Sequence, residues 1–166
     1  MRDRSTSVKA HPVDDVEAVA PEATNVLFDI WLVSRATAGL LDAVLAPTGL
    51  SADEFGVYSA LTSADSLTPT ELARWMSAPP TTVSSYVRRL IARGHLERER
   101  NPSDGRSFDL RLTEAGRAAH AAAGARFLPA LDAVVAALGA HQPEVRRALA
   151  VLRHSLDEVI LAGPPT

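Results

Sequence analysis

The sequence predicts a mainly α-helical chain with one small β-hairpin, and three observations carry that expectation. Apolar residues recur at three- and four-residue steps over most of the 166 residues. Two capping signals open consecutive helices, Ser51 with Glu54 and Thr68 with Glu71. Residues 95–100 and 107–112 instead alternate with period two, and Asn101, Pro102, Ser103, Asp104 and Gly105 between them supply turn chemistry.

Residues 1–23 mix charges, Ser, Pro and small residues without a period, as do 162–166; neither buries enough apolar area to offset its ordering entropy, so both read as tails of one domain over 24–161. Leu27, Ile30, Trp31, Leu41 and Leu45 mark a first helix, ended by Pro47 and Gly49. Ser51 and Glu54 open a short second helix with Phe55, Tyr58 and Leu61 on one face, closing before Asp65. Thr68, Pro69 and Glu71 agree on the start of a third, which carries Leu72 and Met76. Ala78, Pro79 and Pro80 cannot continue it, since proline removes a donor and biases its predecessor away from helical angles. A fourth helix therefore runs from Pro80 to Arg93, with Gly94 as its left-handed stop. Two helices joined by so tight a break make a helix-turn-helix, and the hairpin behind them is a candidate wing. Thr113 caps an alanine-rich helix through Phe127, Leu128, Leu131, Val134 and Leu138, which Pro129 should kink. Pro143 stands in the first turn of the last helix, where Val145, Leu149, Leu152, Leu156 and Val159 form a seam of the kind that packs against another helix. There is no internal repeat.

Composition narrows the function. Seventeen basic against 20 acidic residues leave a net charge of −3, which excludes bulk attraction to nucleic acid; any such site must be a local patch. The absence of cysteine removes disulfides, thiol sensors, cysteine nucleophiles and thiolate zinc sites. No uninterrupted apolar run approaches the roughly 20 residues that span a bilayer, and residues 1–12 lack a signal peptide's apolar core, so a cytoplasmic protein without a membrane partner is expected. His11, His95, His120, His141 and His154 show no metal-binding spacing, and neither a Gly-rich phosphate loop nor a Gly-x-Ser-x-Gly elbow occurs; no enzyme, cofactor or metal is expected. Trp31 and Trp75 read as plain core, and His120 near Arg117 as part of a solvated polar face.

At 100° per residue, Val83, Val87, Leu90 and Ile91 share one side of the fourth helix, and Thr81, Ser85, Arg88 and Arg89 share the other. Arginine can make paired hydrogen bonds to guanine, and Ser or Thr can contact bases or phosphates, so the outer side suits a major groove. An isolated helix with such a face is more often simply solvated, but position argues otherwise. Residues 71–111 hold eight Arg against five acidic residues, a local charge of +3 in a chain whose remainder sums to −6.

From Thr68 to Gly116 the residues Glu71-Leu72-Ala73, Thr82-Val83-Ser84, Arg89-Leu90, Arg93-Gly94 and Asp104-Gly105-Arg106, followed by Leu110, Leu112-Thr113 and Gly116, resemble the winged-helix regulators of the MarR type. The Asp-x-Arg wing with Leu-x-Leu-Thr-x-x-Gly carries the likeness, which extends more loosely over residues 24–161. It implies a winged helix-turn-helix DNA-binding lobe at 51–113 plus a helical dimerisation region at 24–46 and 114–161. It implies a homodimer whose first and last helices interlock through Leu27, Trp31, Val145, Leu149, Leu152, Leu156 and Val159. Each subunit would set Thr81, Thr82, Ser84, Ser85, Arg88 and Arg89 in a major groove of a palindromic double-stranded operator. Arg106 would enter the minor groove, oriented by Asp104. The same resemblance implies a ligand-responsive regulator, commonly a repressor, with a small aromatic or phenolic effector between the dimer helices and the DNA-binding lobe. The sequence departs from the family pattern at Pro79, where many relatives have a Ser or Asp cap; at Ser85, where they have a base-contacting Arg; and at Arg88, where they often have an acid.

Overall fold

A computed structural model describes residues 25–100 and 108–163. The described chain is mainly α-helical with one two-stranded antiparallel hairpin, and forms two compact units, Asn25–Ala130 and the stretch from Leu131 onward. The expected tail at 1–23, residues 164–166 of the expected tail at 162–166, and the wing tip with Asp104 and Arg106 lie outside the described residues, while Ala162 ends the last helix.

Helix α1, Val26–Leu45, starts at Asn25, whose side chain accepts from the N–H groups of Leu27 and Phe28 at 3.1 Å. A short 3₁₀ turn at Ala46–Thr48 and Gly49 in the left-handed region close it, as Pro47 and Gly49 predicted. α2, Ala52–Ala64, and α3, Pro69–Trp75, each begin with the predicted reciprocal capping box. α4, Pro80–Ala92, has Pro79 as its cap residue without a side-chain hydrogen bond; the Pro79 carbonyl instead accepts from Thr82 and Val83 at 3.0 and 3.2 Å.

The turn between α3 and α4 is built differently from a glycine stop. Ser77 holds a φ of 49°, its N–H donates to Arg74 O at 3.1 Å, and the Ala78 N–H donates to Ala73 O at 3.0 Å. That crossed pair satisfies the last carbonyls of α3 with serine where glycine is usual. The same pair closes α4, where Gly94 donates to Ile91 O and His95 to Leu90 O.

Strands β1, Leu96–Arg100, and β2, Phe108–Leu112, pair with Leu96 opposite Leu112 and Arg100 opposite Phe108. Leu67, just before α3, adds an isolated bridge to Leu110, with mutual backbone bonds of 2.8 and 3.3 Å. The wing is thereby tied to the entry of the helix-turn-helix. Leu45, Phe55, Tyr58, Leu61, Leu72, Val83, Val87, Leu90, Leu96, Leu110 and Leu112 close into one core.

α5, Glu114–Leu138, starts with the Thr113 hydroxyl accepting from the Gly116 N–H at 3.0 Å and donating to Gly94 O at 2.7 Å. Its span includes Pro129. In the second unit, a 3₁₀ turn at Gly139–His141 leads into α6, Gln142–Ala162, where Leu149 and Val159 are exposed and Val145, Leu152 and Leu156 half-buried.

Two sequence expectations are corrected. Trp31 and Trp75 are 54% and 51% exposed rather than core, because the periodic apolar residues of α1 and α3 exceed what this chain alone covers. One 18-residue window within each of the stretches Val26–Thr48 and 114–162, with mean hydropathy 1.3 and 1.5, is by length and composition alone apolar enough to cross a membrane. Scanning for unbroken runs misses them because Asp29, Arg35 and Asp42 interrupt α1.

Gly116 has a plain steric reason: a Cβ there would lie 2.1 Å from the His95 carbonyl oxygen, where α5 crosses the exit of α4. Gly116→Ala should therefore cost about 1 to 3 kcal/mol in denaturant unfolding. Gly124→Ala, a helical position with nothing within 4 Å of the new methyl, should instead gain about 0.5 to 1 kcal/mol. Equal effects at the two glycines would contradict the crossing.

Candidate nucleic-acid interface

α4 seals Val83, Val87 and Leu90 into the core and turns Thr81, Ser84, Arg88 and Arg89 to solvent, with Thr82 and Ser85 half-buried beside them. The two sides meet the expectation from periodicity. Ser85 Oγ donates to Thr81 O at 3.1 Å, and Arg88 Nη2 donates to Ser85 Oγ at 3.4 Å.

The two neighbouring arginines are not equivalent. Arg89 Nε donates to Glu54 Oε1 at 3.2 Å, and Arg93 Nη1 donates to Glu54 Oε2 at 3.2 Å. Glu54 is only 4% exposed, and the same Oε2 also accepts the Ser51 N–H at 3.3 Å. One carboxylate thus completes the α2 cap and holds α4 at two successive turns. The Arg89 guanidinium also lies 4.9 Å from the centre of the Tyr86 ring. Tyr86 donates to Asp53 Oδ2 at 2.5 Å, and the bond to that carboxylate pushes its phenol up to about 12. Sequence reasoning saw Glu54 only as a cap and Arg93 only as a helix end and part of a motif, and did not single out Asp53 or Tyr86; the Asp53–Tyr86, Glu54–Arg89 and Glu54–Arg93 contacts join residues more than 30 positions apart, and no local signal marks them.

On the hairpin, Arg98 stacks 4.4 Å above the Phe108 ring, and Arg111 pairs with Glu99 at 2.7 Å. Behind it, the Tyr58 hydroxyl meets His95 Nδ1 at 2.6 Å, linking α2 to the junction between α4 and β1. Burial pushes the Tyr58 phenol up; the Arg93 charge opposes this and the Glu54 charge adds to it. His120 is not on a solvated face, as its helix position suggested. It is half-buried against α2, with Ser59 Oγ and Thr62 Oγ1 each 3.2 Å from a ring nitrogen and the Tyr58 ring parallel to it. Among the described residues no group of three His, Cys, Asp or Glu could hold a metal.

Residues 48–107 match the family model described as "MarR family". Over those residues the chain is similar to the MarR family. Over 89 residues it is 32% identical to the multiple antibiotic resistance protein MarR of Salmonella typhimurium, covering 54% of this chain and 62% of that protein. Over 78 residues it is 36% identical to an HTH-type transcriptional repressor of Mycobacterium tuberculosis, covering 47% and 56%. The chain therefore spans about six-tenths of the length of the curated relatives it matches. The crystal structure of the PcaV transcriptional regulator from Streptomyces coelicolor in complex with its natural ligand superposes with a TM-score of 0.69 at 25% identity, covering 83% of this chain and 96% of that one. The fold is accordingly the MarR winged helix-turn-helix, with α3 and α4 as its two helices and β1–β2 as the wing.

In this winged-helix lobe Glu54→Gln keeps the shape of the clamp and removes its charge. Two hydrogen bonds to arginine weaken together, so unfolding free energy should fall by about 1.5 to 3 kcal/mol. An unchanged denaturant midpoint would mean the carboxylate is not what holds α4.

Desolvation lowers the His120 pKa below its ordinary 6.5. A group whose folded pKa is depressed contributes stability that is present above its unfolded pKa and lost as pH falls through the folded one. Melting temperature should thus drop as pH falls below about 6.5 in the wild type, and the His120→Gln variant should show a smaller drop.

Proposed function

We propose that the chain is a sequence-specific DNA-binding transcriptional regulator, a repressor that binds a palindromic operator as a homodimer and answers to a small aromatic or phenolic acid. One observation carries the DNA-binding reading: the outward side of α4 is entirely polar, while its inner side is sealed in the core and its rotation is held by Glu54. A helix fixed this way can enter a major groove without deforming. The net +3 of residues 71–111 supports the same reading. Thr81, Thr82, Ser84, Ser85, Arg88 and Arg89 are the proposed contacts on α4, and Arg106 with its partner Asp104 the proposed minor-groove contact of the wing.

The proposed division of labour assigns 51–113 to DNA and 24–46 with 114–161 to the dimer. Leu27, Trp31, Leu149 and Val159 are each more than half exposed, which supports a second copy as their cover. Val145, Leu152 and Leu156 extend that seam. A bilayer suits these helices less well: Asp29, Arg35 and Asp42 punctuate α1, and Arg146, Arg147, Arg153, Asp157 and Glu158 crowd α6, charges that are costly in hydrocarbon. The cytoplasm, where the operator is, is the proposed location. The M. tuberculosis relative, an HTH-type transcriptional repressor, supports repression, and the PcaV complex with its natural ligand supports an effector.

Two-fold symmetry requires half-site centres roughly 10 base pairs apart on one face of the duplex, which footprinting reads directly. Leu152→Asp buries a charge in the seam at a cost on the order of several kcal/mol, so light scattering should report a monomer, or circular dichroism an unfolded chain. A folded, undiminished dimer carrying that aspartate would overturn the seam. Arg106→Ala should leave the fold intact and lower the slope of log affinity against log salt by about one.

A further inference from the structure

We infer that Arg88 is the residue of α4 that sets operator sequence, and that its neighbour Arg89 positions the helix without reading a base. The inference rests on the DNA-binding reading above and goes beyond it, because the sequence alone treats the two guanidiniums as equals.

The argument begins with what each side chain has already committed. Arg89 spends its Nε–H on a carboxylate that is 4% exposed, and its guanidinium covers the Tyr86 ring. Turning it toward a groove would leave Glu54 with Arg93 and the Ser51 N–H alone, and a buried carboxylate that loses a charged partner is strongly destabilised. The Tyr86 ring under Arg89 is itself fastened to α2 through Asp53, so the platform does not move with the arginine. Arg89 is therefore fixed toward α2, on the flank of α4.

Arg88 is exposed, and among the described residues its guanidinium meets only Ser85 Oγ, at the long distance of 3.4 Å. One Nη–H is lightly engaged and four donors remain free, including the paired set that matches the O6 and N7 acceptors of guanine. Ser85 lies one turn toward the helix N-terminus, so the contact aims Arg88 along the half of a reading helix that reaches base edges. Ser85 is itself held by its bond to Thr81 O. A weak restraint that points the fork and gives way on binding costs less than immobilising an unguided arginine. The expected preference is for guanine at the base pair facing Arg88.

The test uses full-length protein. An operator is selected with the wild type from randomised duplexes. Affinities for that operator, for every single-base variant of one half-site and for a random duplex are then measured at one salt concentration with wild type, Arg88→Ala, Arg88→Lys and Arg89→Ala. Arg88→Ala should abolish discrimination at one base pair, worth about 5- to 160-fold in the wild type, and leave the other preferences in place. Arg88→Lys keeps the charge and loses the fork; it should bind the random duplex as well as wild type does while losing the same discrimination. Arg89→Ala should lower affinity for all duplexes by a common factor, keep their ranking and reduce the melting temperature. If Arg89→Ala flattens a position and Arg88→Ala flattens none, the assignment is reversed. If both Arg88 variants keep every preference of a selected operator, the assignment alone fails. If no duplex is enriched at all, the DNA-binding reading fails with it.

Discussion

A carboxylate removed from water survives as an ion only if several donors converge on it, and Glu54 has gathered three: the Ser51 N–H, Arg89 Nε and Arg93 Nη1. The position of α4 follows from this. Val83, Val87 and Leu90 hold the helix down, but apolar contacts are non-directional and would tolerate some rotation about its axis. Two arginines four positions apart reaching one carboxylate tolerate much less. Because both arginine side chains remain about half exposed, the cationic half of the pairing escapes part of the desolvation cost that makes a fully buried ion pair a poor stabiliser.

A second constraint sits at the other end of α4. The helix closes on Gly94, the Thr113 hydroxyl donates to the Gly94 carbonyl, and the His95 carbonyl occupies the space a Cβ of Gly116 would need while accepting the Thr113 N–H at 3.1 Å. The exit of α4, the base of the wing and the start of α5 therefore share one small set of backbone atoms. Tyr58 reaches the same junction through His95 Nδ1, and the Tyr58 ring is stacked on His120 of α5. α4 and the wing cannot shift independently of α2 and α5 without breaking at least one of these bonds.

What could be read from the sequence was local. The capping boxes at Ser51 and Thr68, the stop at Gly94 and the cap at Thr113 are each decided within four residues, and each stands where periodicity and turn chemistry put it. The two sides of α4 were equally legible, since helical geometry alone separates Val83 from Arg88. The rest failed for one physical reason, contact at long sequence separation. Glu54 and Arg93 are 39 residues apart, and Thr62 and His120 58 apart, so the same residue types that signal a cap or a solvated face acquire other partners only in the fold. Ser77 belongs to a different case: serine at a φ of 49° is uncommon, and no pattern announces that the turn after α3 accepts it. Trp31 and Trp75 were misplaced because apolar periodicity reports that a face will be covered, not that this chain covers it.

The charge of the lobe changes meaning once its pairs are known. Residues 71–111 contain eight arginines, but Arg89 and Arg93 share Glu54, which lies outside that window, and Arg111 pairs with Glu99 inside it. The net +3 thus overstates the cationic field, because a carboxylate from α2 sits against the patch. None of these three pairs involves Arg88 on α4, and Arg98 and Arg100 stand on β1. Arg98 is held over the Phe108 ring, a contact that orients the guanidinium and leaves its charge uncancelled. A patch concentrated on one helix face and one strand would order the approach of a duplex more narrowly than eight scattered cations, since field strength falls off within a Debye length of about 8 Å. The buried glutamate therefore acts twice, by fixing the angle of α4 and by offsetting one of the two positive charges of Arg89 and Arg93 beside its polar face.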